Sequence, residues 1–352
     1  MRLDDEEAAT SCRLPISNSE IVKLAHGSGG KLSSSLIESV FLPLLGNDVL
    51  NKQDDAADIQ IGDLKIAITT DSYVVSPIFF PGGDIGSLAV HGTVNDLTMR
   101  GAKPLFLAAT FIIEEGFPIA DLHRVADSFA QACRSSDVSL LAADTKVVGR
   151  GAADKIFVTT TGIGIIACDP VPASDRARAG DVIIVSGDLG LHGMAVMASR
   201  EGLDLETQIR SDSAPLNKLV LPILQMGYIP RCMRDITRGG LATVLNEIAK
   251  SSSVGMLIEE NAIPVDPQVS AVCELLGLDP LYVACEGRFV AIMDASCSDQ
   301  FLATMKGFPQ GAQARVIGRV VEEAPGRVVL KSTIGGRRIL DKLAGDQLPR
   351  IC

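Results

Sequence analysis

The sequence predicts an α+β protein built from two α/β domains, with a Gly-rich arm in front and a short tail behind. Three observations carry this reading. At 352 residues the chain exceeds one ordinary core. Strand-like apolar runs alternate with helical patterns in two successive series. Between the series lies a turn-rich break, Asp169-Pro170-Val171-Pro172-Ala173-Ser174.

The elements follow in order. Residues 1–45 are polar, then Gly-rich at His26-Gly27-Ser28-Gly29-Gly30-Lys31, and read as a mobile arm. A first domain spans 46–168, with strands expected at 64–70, 105–113 and 156–166. Its clearer helix is 121–135, where Leu122, Val125, Ala126, Phe129, Ala132 and Cys133 share one face. A second helix at 86–100 has Arg100 in its last turn and stops at Gly101. A second domain spans 169–342. Strands are expected there at 181–186, 281–285, 288–294 and 314–321, and helices at 190–202, 215–225 and 239–251. Residues 343–352 hold Gly345, Pro349 and few apolar anchors, and are expected to form a flexible tail ending in Cys352.

Composition excludes several function classes. Net charge is −11 and the pI about 4.9, so the global field repels nucleic acid and a phosphate ligand needs a local site. The eight cysteines include no CxxC pair, which argues against zinc and thioredoxin-like chemistry and for reduced thiols in the cytoplasm. The opening Met1-Arg2-Leu3-Asp4-Asp5 is too acidic for a targeting peptide. The longest apolar runs, near 156–167, fall short of the ~20 residues a membrane span needs.

Five acidic clusters stand at what read as loop-like edges: Asp54-Asp55, Thr70-Asp71, Asn95-Asp96, Asp144-Thr145-Lys146 and Asp235-Ile236-Thr237-Arg238. Hard divalent cations want several carboxylate oxygens, completed by waters and phosphates. Each cluster taken singly also reads as turn and capping chemistry. Asp96 is the exception, because in a helix over 86–100 it falls on the inward stripe of Ala89, Gly92 and Met99. Glu286 lies between two apolar runs, where burial would raise its pKa and make it a base; the other reading is a turn acid paired with Arg288. His192, in a Gly-rich loop, reads as loop packing or a phosphate contact.

Taken in series, these motifs resemble the aminoimidazole ribonucleotide synthetase-like ATP-binding superfamily over residues 26–352. Within it, the ending Pro349-Arg350-Ile351-Cys352 and the absence of a thiol in the Gly-rich arm resemble the hydrogenase-maturation carbamoyl dehydratases. The resemblance implies N-terminal domains that pair as a homodimer, with ATP bound beside that interface through Mg²⁺. It implies nucleotide contacts from Lys31, Asp54, Asp55, Asp71, Asn95, Asp96, Asp144, Thr145, Asp235 and Arg238. Asp54, Asp71, Asp96, Asp144 and Asp235 are the implied metal ligands. The implied catalytic residues are Cys352 as carrier of a carbamoyl group, Glu286 as proton acceptor and Lys146 as its assistant. The partners implied are the carbamoyltransferase HypF and the HypC–HypD iron scaffold, with no nucleic acid and no membrane. A non-catalytic ATP-gated carrier and a small-molecule ATP-dependent kinase or synthetase stand as alternatives.

Overall fold

The structure is a computed structural model describing residues 21–200, 207–345 and 350–352. Residues 1–20 of the expected arm, the end of the expected 190–202 helix and Pro349 of the tail lie outside it.

The arm is folded where described, with α1 (Lys31–Leu36) and α2 (Leu42–Leu45) following a short 3₁₀ turn. The first sheet uses β1 (Ala57–Ile61), β2 (Leu64–Tyr73), β5 (Ala102–Glu114), β6 (Ser139–Val148) and β7 (Ile156–Ile166), in the order β1-β2-β7-β5-β6. A two-stranded ribbon, β3 (Phe79–Phe80) and β4 (Gly83–Asp84), leads into α3 (Ile85–Met99). Asp84 caps α3 by accepting from the backbone N–H groups of Gly86 and Ser87. With α4 (Ile119–Ser135), α3 covers one face of the sheet.

The other face is open. Ile68, Ile163 and Phe106 stand in register across β2, β7 and β5 on that face. They are 37%, 39% and 41% exposed. Their neighbours in sequence, Ala67 and Leu107, point to the helices and are buried.

The second sheet has seven strands: β8 (Val182–Val185), β9 (Cys232–Asp235), β10 (Gly255–Glu259), β11 (Phe289–Met293), β12 (Arg315–Val321), β13 (Val328–Lys331) and β14 (Arg337–Ile339). Their order is β14-β13-β10-β12-β8-β11-β9, antiparallel except between β10 and β13. Around it pack α5 (Leu191–Ala198), α6 (Asn217–Gln225), α7 (Gly240–Ser252), α8 (Pro267–Leu276) and α9 (Ala295–Lys306). α3 links the two halves, because Met99 joins the core that α6 and α9 build with the second sheet.

Three expectations need correcting. Residues 281–285 do not form a strand: Pro280–Tyr282 is a 3₁₀ turn, capped by the Asp279 side chain accepting from Leu281 N–H. Asp71 and Asp144 do not stand in loops but in β2 and β6, whereas Asp96 is in the expected helix. The tail is not loose at its tip, since Ile351 is only 3% exposed and joins the core formed by α3, α4 and the first sheet.

Candidate active site

Three carboxylates meet where the sheets face each other. The loop before β1 supplies Asp55, α3 supplies Asp96, and the end of β9 supplies Asp235; one oxygen from each lies within 4.8 Å of the others. α3 and β9 bring this about because each packs into the domain junction. Burial carries Asp55 up to about 6, with Asp54 and Glu247 adding repulsion and Arg234 opposing. Burial pushes Asp96 and Asp235 well above the ordinary range, and mutual repulsion adds to it. Arg234 pairs with Asp55 and also with Glu247, and Asp96 accepts from the Thr69 hydroxyl at 2.8 Å. Asp55 Oδ2 has no hydrogen-bond partner among the described residues. Three crowded, electrostatically unsatisfied carboxylates fit a hard divalent cation.

The cluster opens into a cleft of about 1070 Å³, large enough for a nucleotide. The Gly-rich arm closes one side of it through Gly27 and Gly29, and Arg238 and Lys342 reach its wall. Gly29 has φ +79 and an added Cβ would stand 2.7 Å from the Arg238 carbonyl oxygen, so the close approach of arm to site requires glycine here.

A second, smaller cavity of about 140 Å³ adjoins the first and shares Gly27 and Arg238 with it. The tail tip fills its edge. Ser76 N–H donates to the Arg350 carbonyl at 3.1 Å, and Arg350 Nε donates to the Val74 carbonyl at 3.0 Å. The Cys352 thiol thereby lies close enough to Glu286 to feel its charge. Burial and then the Glu286 charge push that thiol up, while Arg238 opposes.

Glu286 is 3% exposed, and burial followed by repulsion from Asp235, Asp71 and Asp212 raises its carboxyl well above the usual range. Its backbone is clamped on both sides. The Asp212 carboxylate accepts from its N–H at 3.0 Å, and Asn95 Nδ2 donates to its carbonyl at 3.2 Å. Arg288 pairs with Asp212 at 3.7 Å, so the turn reading of Glu286 as the partner of Arg288 is not what forms.

The expected site residues thus divide. Asp55, Asp96 and Asp235 come together, with Asp71 beside them and 3.9 Å from Arg238. Asp54 turns away to the buried Arg100 and to Ser174, and Lys31 pairs with Asp341 at 2.6 Å. Asn95 holds protein backbone, at Leu216 N–H and at the Ala214 and Glu286 carbonyls. Asp144, Thr145 and Lys146 sit on exposed β6, with Asp144 and Lys146 paired at 3.0 Å. Asp144 is in register with Thr110, which pairs with Thr159, which pairs with Ser72, a row on the open face. Asp71 belongs to the next row, whose Thr160 packs against α3, so within one chain the pleat points Asp144 away from the cluster. Spacing gives no signal for Asp212, Glu247 or Arg234, while His192, a loop-packing or phosphate-contact candidate by sequence, lies buried beside the tail tip.

Fold and site define a class: two family models match, AIR synthase related protein N-terminal domain over residues 53–166 and C-terminal domain over 178–331. Carbamoyl dehydratase HypE of Cupriavidus necator is 51% identical over 94% of this chain and 95% of its own length. The solved HypE–HypF complex superposes with a TM-score of 0.83 at 44% identity, covering 88% of this chain and all of that one. HypE in complex with ATP gives 0.80 at 45% identity over 94% of this chain and all of that one. The chain belongs to the HypE carbamoyl dehydratases of hydrogenase maturation.

Proposed function

We propose that the carbamoyl group on which this dehydratase acts is carried by the sulfur of its own Cys352. ATP bound in the large cleft would transfer its γ-phosphoryl group to the carbamoyl oxygen, releasing ADP. The nitrogen then loses its two protons and the C–O bond breaks, with phosphate as leaving group and Cys352-S-C≡N as product. Glu286, whose raised pKa makes it the stronger acceptor, takes one of these protons, and the other leaves with the departing phosphate. Arg238, on the wall common to both cavities, offsets charge developing at the phosphoryl group. A Mg²⁺ ion would be held by Asp55, Asp96 and Asp235 and would offset phosphate charge when bound. The observation that carries the reading is the docked thiol beside Glu286, with the carboxylate trio next to it.

Relatives solved with ATP and with HypF support those two as ligand and loading partner. The acceptor of the cyanide would be the HypC–HypD iron scaffold, and the setting the cytoplasm. No helix among the described residues is long and apolar enough to cross a membrane. The open face of the first sheet supports a homodimer. Pairing two such faces would also carry Asp144, Thr145 and Lys146 toward a cleft whose wall includes Ile68, Thr70 and Thr161 from that face.

The test is the mass of the C-terminal peptide after carbamoylation, with and without ATP and Mg²⁺. Loss of one water's mass, confined to that peptide and dependent on ATP, is the expected result. A stable carbamoyl adduct would instead leave a carrier that another protein dehydrates.

A further inference from the structure

His192 has no part in the chemistry above, yet it is fully buried beside the tail tip. Its Nε2 lies 2.9 Å from the carbonyl oxygen of Ile351, and its Nδ1 lies 2.8 Å from Ser211 Oγ. Ser211 Oγ already accepts from the backbone N–H of Ser213 at 3.0 Å, so its own proton is available to Nδ1. A carbonyl only accepts, so the network fixes one tautomer: Nε2–H toward the tail, Nδ1 toward the serine. The edge of the ring packs against Phe80, with centroids 5.3 Å apart at 88°.

We infer that His192 is the latch of the carrier tail: a positioning residue that grips the main chain at Ile351 and so holds Cys352 in its reactive place. Its grip and those of Val74 and Ser76 all fall on residues 350 and 351. None falls on the sulfur. The latch therefore engages free, carbamoylated and cyanated tails alike, and discrimination by load is left to the small cavity beyond. Opening the latch exposes Cys352 for loading, and closing it commits the sulfur to dehydration. The two half-reactions therefore respond to His192 with opposite signs. This rests on Cys352 being the carrier.

The experiment uses the full chain as His192→Leu, His192→Gln and Ser211→Ala. Iodoacetamide labelling of Cys352 is read by peptide mass relative to exposed Cys297, alongside loading by the carbamoyltransferase and single-turnover dehydration of the loaded tail. Loss of one hydrogen bond predicts about tenfold faster Cys352 labelling in His192→Leu. Loading should be no slower, dehydration should fall, and ATP affinity should hold. His192→Gln, which keeps a donor, should restore part of the dehydration rate. Ser211→Ala should shift labelling and dehydration the same way by less, and carries the test if His192→Leu does not fold. Unchanged Cys352 labelling in these variants overturns the latch. So does a joint fall of loading, dehydration and ATP affinity. Failure of the carrier reading would look different, because the unsubstituted protein itself would show no water loss on its C-terminal peptide.

Discussion

Asn95 donates from α3 to the carbonyl oxygen of Glu286 at 3.2 Å, one residue before Asp96 enters the carboxylate trio. One helix turn thus fixes the proposed proton acceptor and a candidate cation ligand relative to each other. Asn95→Ala leaves the Leu216 N–H and two carbonyls without that partner. The expected loss is about 1–3 kcal/mol of stability, with a fall in dehydration rate larger than any fall in ATP affinity. Denaturant melts and titration calorimetry check the two parts.

Glu286→Gln keeps the shape of the side chain and removes the base. The variant should accept a carbamoyl group and bind ATP but dehydrate more slowly by roughly 10²–10⁴-fold. A single-turnover rate equal to that of the unsubstituted protein would return Glu286 to a structural role.

The trio makes stability depend on pH in a defined direction. Asp55 rises from 3.8 to about 6 in the folded protein, and Asp96 and Asp235 rise further above their ordinary value. Between those values the folded state binds more protons than the unfolded state. The stability they contribute is full below about pH 4 and is lost as pH rises through about 6 and beyond. Mg²⁺ supplies positive charge in place of the protons, so melting temperature should fall less with pH in Mg²⁺ than in a chelator. Asp235→Asn should raise the metal-free melting temperature at neutral pH by about 2–4 °C while weakening MgATP binding. Parallel melting curves with and without Mg²⁺ would remove the trio from cation binding.

Ile351 is the apolar anchor of the tail. Ile351→Ala removes three buried carbons and should weaken docking by about 2 kcal/mol, roughly 30-fold in the docked-to-undocked ratio. Global melting should hardly change. Hydrogen exchange at residues 350–352 reads the difference.

Ile163→Glu places a charge in the centre of the open face, in register with Ile68 and Phe106. If the proposed homodimer forms through this face, sedimentation should show a dimer for the unsubstituted protein and a monomer for the variant. If Asp144 and Lys146 act only through association, Asp144→Asn should then add no further loss of ATP affinity.

Much of this was legible in the sequence, for reasons that differ from residue to residue. Asp96 announced itself as an acid on the apolar stripe of a helix, and burial confirms the oddity. Asp54 and Asp55 are adjacent, and long-range partners separate them: Asp54 pairs with Arg100 and Ser174, while Asp55 joins the trio. The cluster around Asp144 reads as a loop-like edge because the strand that holds it is exposed along nearly all its length and shows no clean alternation. Asp212 lies in irregular chain, and it acts on Glu286 across 74 residues through one hydrogen bond. No periodicity encodes such a contact. The docked tail has no periodic signal, because a single apolar side chain, Ile351, and a few bonds to main-chain atoms hold it.

Arg238 lines both cavities, where it faces Asp71 and opposes the upward shift of the Cys352 thiol. A single guanidinium cannot stabilise both a bound triphosphate and a thiolate developing at Cys352 in full. A triphosphate arriving in the large cleft draws off part of the field that would otherwise favour a thiolate at Cys352. Nucleotide occupancy and a free, nucleophilic sulfur are therefore in opposition. With the cleft filled, a sulfur bonded to its load would be the form the electrostatics favour, so under the proposed mechanism the cation that helps the phosphoryl group would also discourage premature release of the cargo.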